Sequence, residues 1–332
     1  MRAVVLEQYG GPEVLTLREL PDPVPGPEEV LVDIVGSALN RADLMQREGH
    51  YPSPPTPGLG PDAPEVPGLE FAGRVAAVGQ RVRAWKPGDE VMAVTGVAGF
   101  AERTVAHERM LMPVPSTVPV ADAAAIPEVW ITAWDALFVR GGLRAGGVAL
   151  VHAGGSGVGT AAIQLCRAVG AAAIVTCSAS KVARCEALGA LAAVDYRRAD
   201  FVAATKDLTG GRGADVVLDV VGGDYVERNL DALALRGTIV QVGLMAGGRT
   251  TVDLGALLPK RGTIVGTVLR SRPLEDKIAA ARGFASEVLP LFESGACRPV
   301  VDRRYPLEEV GAAQAYLAAN ESFGKVLIDI AS

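Results

Sequence analysis

Apolar positions change rhythm near residue 120. Before it they come in short runs at 30–35, 73–79 and 89–94, broken by Pro and Gly at 21–27 and at Lys86-Pro87-Gly88-Asp89. Short runs set between turn residues predict strands. From 121 to 139 Ala, Trp and Leu recur at helical spacing, with Asp122 placed to favour a helix N-terminus. Strand and helix patterns then alternate: strands at 148–152, 173–176, 193–196, 215–219 and 238–242, with helices at 158–168 and 181–188. Continuous β-branched runs parted by amphipathic helices predict an α/β fold, a doubly wound parallel sheet of Rossmann type between about 124 and 262. After 261 the alternation stops. A strand-like run at 263–269, helices at 277–292 and 308–319 and a last strand at 325–330 are too little for a third domain. The tail is expected to pack back on the N-terminal β-rich part. The predicted division is 1–123 with 263–332, and 124–262.

One segment fits neither pattern. Between Tyr51 and Gly68 stand Pro52, Pro54, Pro55, Pro57, Pro61, Pro64 and Pro67. Such a stretch forms neither helix nor central strand, and it reads equally as a solvated linker or as a wall of a binding cleft.

Composition narrows the picture. The 332 residues suit two domains, and 49% hydrophobic with 21% charged residues is globular. A mean hydropathy of +0.26 raises the membrane question. The longest stretch free of Asp, Glu, Lys and Arg, 145–166, reaches spanning length, yet six glycines interrupt it. It reads as strand, loop and helix. A net charge of −6 with no Lys/Arg run speaks against nucleic-acid binding. Ala3-Val4-Val5-Leu6 enters a strand pattern at once, with no targeting signal before it, so a cytoplasmic address is expected. The cysteines 166, 177, 185 and 297 and the histidines 50, 107 and 152 share no metal-site spacing, so neither a disulfide scaffold nor a metal is expected.

The strand ending at His152 runs into Ala153-Gly154-Gly155-Ser156-Gly157-Val158-Gly159 and then a helix. A turn between a parallel strand and a helix N-terminus offers backbone N–H groups and the positive end of a dipole, which suits a pyrophosphate. Ser156 replaces the middle glycine of the G-x-G-x-x-G pattern, but the strand–turn–helix setting is the required one. Gly154, Gly155, Ser156, Gly157 and Val158 are the expected phosphate cradle. About 20 residues on, where an NAD site places a carboxylate, stand Thr176-Cys177-Ser178-Ala179-Ser180-Lys181. Hydroxyls and an ammonium suit a 2′-phosphate, so NADPH is favoured over NADH. Tyr196 is placed to stack on adenine or donate its hydroxyl. Lys181 reads alternatively as a residue of a surface helix.

The chain resembles the zinc-independent quinone oxidoreductases of the medium-chain dehydrogenase/reductase superfamily, most of all the p53-inducible quinone oxidoreductase type. The resemblance rests on residues 37–47, Gly68-Leu69-Glu70, 123–133, 152–165, Leu269-Arg270-Ser271-Arg272 and Gly324-Lys325, and it spans essentially the whole chain. It implies a Rossmann domain inserted in a discontinuous GroES-like β domain, with a cleft between them. Zinc-dependent relatives carry Cys and His ligands where this chain has Asn40 and Leu69, so hydride transfer without zinc is implied. The resemblance puts Asn40 and Thr132 beside the nicotinamide and Tyr51 on the substrate side. It puts Ser178, Lys181 and Tyr196 on the 2′-phosphate and adenosine. Val221, Gly243, Leu244, Met245, Leu269 and Phe323 complete the cofactor set. Without it, Asn40 reads as a turn former and Tyr51 as packing. A homodimer and a small quinone or enone substrate are implied. The alternatives are an enoyl-thioester reductase, with Tyr51 as its only visible proton donor, and a non-catalytic NADPH-binding protein. The segment 56–66 looks longer than its counterpart in the family.

Overall fold

In the strand Glu29–Ala38, Val30, Val32 and Ile34 are buried and Asp33 is exposed, the alternation of a sheet with one face on a core. The computed structural model describes residues 1–330. It divides into two compact units, Met1–Glu128 together with Arg272 onward, and Val129–Ser271.

The first unit is built from both ends of the chain. Its seven-stranded sheet runs Val301–Pro306, Lys325–Asp329, Glu29–Ala38, Glu70–Val78, Glu90–Val94 and Met112–Pro113, with Arg103–His107 also pairing to Glu29–Ala38. Phe71 and Phe100 pack there with Val30, Val32, Ile34, Leu307, Val326 and Ile328. A ribbon of Arg2–Leu6 against Leu15–Glu19 lies apart from this sheet.

The second unit holds six parallel strands in the order Ala192–Asp195, Ala172–Cys177, Val148–Val151, Ala214–Asp219, Leu233–Gln241 and Thr263–Gly266. Numbered along the chain this is 3-2-1-4-5-6, a doubly wound sheet. Its order reverses between Val148–Val151 and Ala214–Asp219, and ligands bind such sheets beyond the strand C-termini at that point. Leu150, Ile174, Phe201, Val217 and Leu230 form its core. Among the described residues, no helix is long and apolar enough to cross a membrane.

Four sequence expectations change. The run at 263–269, assigned to the split domain, forms the strand Thr263–Gly266 and pairs in parallel with Leu233–Gln241. The helix expected at 121–139 is Val120–Ala123, then Pro127–Trp134, then a widened π-turn over Asp135–Arg140. Pro127, which has no N–H to donate, opens the second piece. The helix expected at 277–292 splits into Leu274–Glu287 and Leu289–Glu293, with Pro290 in the first turn of the second. The proline-rich segment is not a solvated linker. Glu65 O accepts the Leu6 N–H at 2.9 Å, Gly58 O accepts the Val24 N–H at 2.9 Å, and the buried Thr56 hydroxyl donates to Pro64 O at 3.0 Å.

Candidate functional site

Most of the expected cofactor residues of the second unit follow strand C-termini. Residues 154–158 come after Val148–Val151, Ser178 and Lys181 after Ala172–Cys177, and Tyr196 after Ala192–Asp195. Val221 comes after Ala214–Asp219, residues 243–245 after Leu233–Gln241, and Leu269 after Thr263–Gly266. The parallel topology therefore brings them to one end of the sheet. Thr132 lies in the helix Pro127–Trp134 instead, and Asn40, Tyr51 and Phe323 belong to the first unit.

The glycine-rich turn is built for a close approach of strand and helix. Ala153 holds a positive φ of 57°. A Cβ on Gly154 would meet Val175 at 2.6 Å, and one on Gly159 would meet Ala153 O at 2.4 Å. These two glycines thus serve packing. Ser156 caps the helix Gly157–Ala168, its Oγ accepting the Gly159 N–H at 3.0 Å. The N–H groups of Gly157 and Val158, in the first turn, have no intrahelical acceptor. They give the turn its capacity for an anion at the positive end of the helix dipole.

No carboxylate stands at the end of the second strand. Ser178 Oγ and Ser180 Oγ lie 3.4 Å apart, and Lys181 closes the short 3-10 turn that leads into the helix Val182–Leu188. Beside it the half-exposed Tyr196 ring lies under the Arg197 guanidinium, 5.7 Å from its centroid. Asp195, on the neighbouring strand, spends one oxygen on the Arg197 N–H at 3.2 Å, and the other lies 3.7 Å from Arg198 Nε. Sequence reasoning passed over Arg197 and Arg198; their signal was two adjacent cations directly after a strand end. All four cysteines are free and buried. Burial pushes the Cys166 thiol up to about 12, which keeps it protonated and unreactive.

The first unit contains a buried ionic cluster. Asn40 precedes the helix Arg41–Arg47, and its backbone N–H donates to Asp43 Oδ2 at 2.7 Å. Its Nδ2 donates to Glu70 Oε1 at 2.8 Å and to Ala38 O at 3.3 Å. The Lys325 ammonium, only 4% exposed, donates to Leu39 O and Asn40 Oδ1 at 2.7 Å and to Glu70 Oε1 at 2.8 Å. Glu70 Oε2 accepts the Glu128 N–H at 2.7 Å. The Asn40 amide is therefore consumed on both sides, and its part is to hold the backbone of this corner. Tyr51 stands four residues beyond the helix Arg41–Arg47, half-buried, and Phe323 is buried two residues before Lys325.

This cluster bears on zinc. Among the described residues, no three His, Cys, Asp or Glu side chains gather at one point. The acceptor oxygens at Asn40 and Glu70 already hold a cation, the Lys325 ammonium. Neutral amide, carbonyl and one carboxylate are a poor donor set for Zn²⁺, which favours thiolate and imidazole. The residues do not fit that metal.

A doubly wound sheet with a glycine-rich turn at its switch point, inserted in a split β unit, defines a nucleotide-dependent oxidoreductase of the medium-chain type. Comparison with known proteins agrees. Residues 26–116 match the alcohol dehydrogenase GroES-like domain family, and 157–286 match the zinc-binding dehydrogenase family. A quinone oxidoreductase of Pseudomonas aeruginosa is 35% identical over 323 residues, 96% of this chain and 97% of its own length. The crystal structure of Escherichia coli quinone oxidoreductase complexed with NADPH is 29% identical with a TM-score of 0.87, over 99% of this chain and 100% of that one. An NAD-dependent alcohol dehydrogenase structure is 34% identical with the same TM-score of 0.87, over the full length of both. The chain belongs to the quinone oxidoreductase family of the medium-chain dehydrogenase/reductase superfamily.

Proposed function

We propose that the chain is an NADPH-dependent quinone oxidoreductase that reduces small quinones without zinc. The observation that supports this reading is the Lys325 ammonium seated on Asn40 Oδ1 and Glu70 Oε1, at positions where the resemblance puts ligands of zinc-dependent relatives. Alcohol oxidation depends on acidifying a hydroxyl, commonly with a metal. A quinone is electron-poor already and takes its protons from water or a nearby hydroxyl.

NADPH, when bound, supplies the hydride. The chain's part is to hold and orient it. The turn 154–158 takes the pyrophosphate, and Ser178, Lys181 and Tyr196 take the 2′-phosphate and adenosine. Thr132, Val221, Gly243, Leu244, Met245, Leu269 and Phe323 are assigned to the ribose and nicotinamide. Asn40, beside the nicotinamide, fixes the backbone there, and Tyr51 lines the substrate side with a hydroxyl that can give up a proton. Orientation and exclusion of water then supply the rate. The assigned setting is cytoplasmic, with no nucleic-acid or membrane partner.

The test compares acceptors. NADPH oxidation with 1,4-benzoquinone is expected to exceed that with crotonyl-CoA by at least tenfold in kcat/KM. Turnover of the thioester alone would transfer the assignment to enoyl reduction, with Tyr51 as proton donor. NADPH binding without turnover of either would leave a cofactor-binding protein.

A homodimer is part of the same reading. Thr263–Gly266 is the last strand of its sheet, with Ile264 and Val268 partly exposed beside it. An apolar sheet edge invites pairing with a second copy. Ile264→Lys is expected to convert a dimer to a monomer on gel filtration, and a wild-type chain that elutes as a monomer would refute this.

A further inference from the structure

Directly beneath the switch point runs a buried polar chain that the cofactor assignment does not use. His152 follows Val148–Val151 and is completely buried, packed edge-on against the rings of Phe201 and Tyr225 at 4.9 Å each. Its Nε2 lies 2.6 Å from Asn229 Oδ1, and its Nδ1 lies 3.0 Å from Thr176 Oγ1. Asn229 Nδ2 donates to Asp219 Oδ2 at 2.8 Å. These contacts fix the direction of every bond. A carboxylate accepts, so the Asn229 amide must turn its NH₂ to Asp219 and its oxygen to His152. The imidazole then carries its proton on Nε2, and Nδ1 accepts the Thr176 hydroxyl. Burial lowers the His152 pKa and keeps the ring neutral.

At the far end the chain reaches backbone. Asp219 Oδ1 accepts the N–H groups of Val221 at 2.6 Å and Gly222 at 3.0 Å. Gly222 and Gly223 hold φ values of 70° and 54°, and a Cβ on either would meet carbonyl oxygens of residues 246–247 at 2.8–2.9 Å. The loop is laced to the next one, with Ala246 N–H donating to Val221 O at 2.8 Å and Gly223 N–H to Gly247 O at 3.1 Å. Asp219 also holds the start of that second loop, its own carbonyl accepting Val242 N–H at 2.8 Å and Gln241 Nε2 at 3.1 Å. The carboxylate therefore sets the loop that carries Val221, and the lacing of that loop to the next, with the Asp219 main-chain carbonyl, reaches the segment that carries Gly243, Leu244 and Met245.

We propose that Thr176, His152, Asn229 and Asp219 act as a positioning relay that fixes these two loops for the dinucleotide. The proposal rests on the assignment of those loops to the cofactor. None of the four residues needs to touch it. A side-chain set that merely satisfied its own polar atoms in the core would leave cofactor affinity unchanged once the protein is folded.

The polarity of the chain supplies the test. Asn229→Asp sets two carboxylates face to face, whereas Asp219→Asn alone is absorbed: its oxygen still accepts from Val221 and Gly222, its NH₂ donates to a reversed Asn229 amide, and the His152 proton moves to Nδ1. The double variant restores complementarity: the new amide at 219 accepts from the loop and donates to the new carboxylate at 229, which accepts from His152. Asn229→Asp is expected to raise the NADPH Kd of the folded protein roughly tenfold, the scale of one buried unsatisfied group, and Asp219→Asn to leave it within about threefold. The double variant is expected to return within about threefold of wild type. In both variants carrying the carboxylate at 229, the ¹⁵N spectrum of His152 is expected to move toward the doubly protonated ring. His152→Phe preserves the ring packing, removes both nitrogens and is expected to lose about tenfold, mostly in the KM for NADPH; it carries the test if a charged single variant does not fold. Wild-type NADPH affinity in folded His152→Phe, or a double variant no better than folded Asn229→Asp, would overturn the relay. Failure of the wild-type chain to bind NADPH at all would strike the cofactor assignment instead.

Discussion

Lys325→Met is expected to destabilise the protein by about 3–5 kcal/mol, because it strands the Glu70 carboxylate in a site without water. Glu70 is fully buried and Lys325 nearly so, and the pair is joined at 2.8 Å. Leu39 O, Asn40 Oδ1 and Glu70 Oε1 each lose the ammonium as a donor, and Glu70 Oε1 keeps only the Asn40 amide. For a unit of this size the loss corresponds to a fall of roughly 10 °C in melting temperature, measured by calorimetry. Adding Glu70→Gln should recover a good part of it. The amide still accepts from Asn40 or from the Glu128 N–H, and no buried charge remains. The asymmetry between the single and the double variant is the point. A surface ion pair would show neither the large loss nor the recovery. A melting temperature within 2 °C of wild type for the single variant would mean that water enters the cluster.

Lys181→Ala carries the second large effect, on cofactor choice. Only NADPH has the 2′-phosphate, and a hydrogen bond to a charged group contributes about 1.5–3 kcal/mol. The KM for NADPH should rise between about tenfold and a hundredfold, while that for NADH stays within about twofold. Equal losses for both cofactors would place Lys181 away from the phosphate. Raising ionic strength should narrow the difference between the cofactors, since this edge is exposed.

The parallel sheet was legible in the sequence because its strands are buried on both faces. Val148–Val151 is buried at every position, and so reads as an unbroken apolar run. The glycine turn was legible because its neighbours, a strand and a helix, are local. The strand Thr263–Gly266 was located, but its sheet was not. Its side chains are mostly exposed, so its pattern carries no record of which edge it joins. Pro127 and Pro290 were visible, yet the alanine-rich periodicity around them outweighed the breaks they impose. The Lys325 cluster was illegible for a different reason. Lys325 and Asn40 are 285 positions apart, and only the return of the last strand to pair with Glu29–Ala38 brings them together. His152, Asn229 and Asp219 are likewise gathered by the strand order rather than by any spacing in the chain. In the sequence His152 reads as a strand end before the glycine-rich turn and Asp219 as another strand end, with nothing to join them.

Asn40 shows how the structure redirects a residue found by resemblance. Its place before the helix Arg41–Arg47 agrees with a turn-forming asparagine, and its amide is spent on Lys325, Glu70 and Ala38. No amide hydrogen remains for a substrate oxygen.

Quinone reduction by this chain is expected to need no metal. The direct measurement is NADPH oxidation with 1,4-benzoquinone by protein dialysed against a strong chelator, followed at 340 nm with and without added Zn²⁺. The expected result is a rate equal to that of untreated protein and insensitive to zinc. A rate abolished by the chelator and restored by Zn²⁺ would contradict it, as would a protein that oxidises NADPH with no quinone at all.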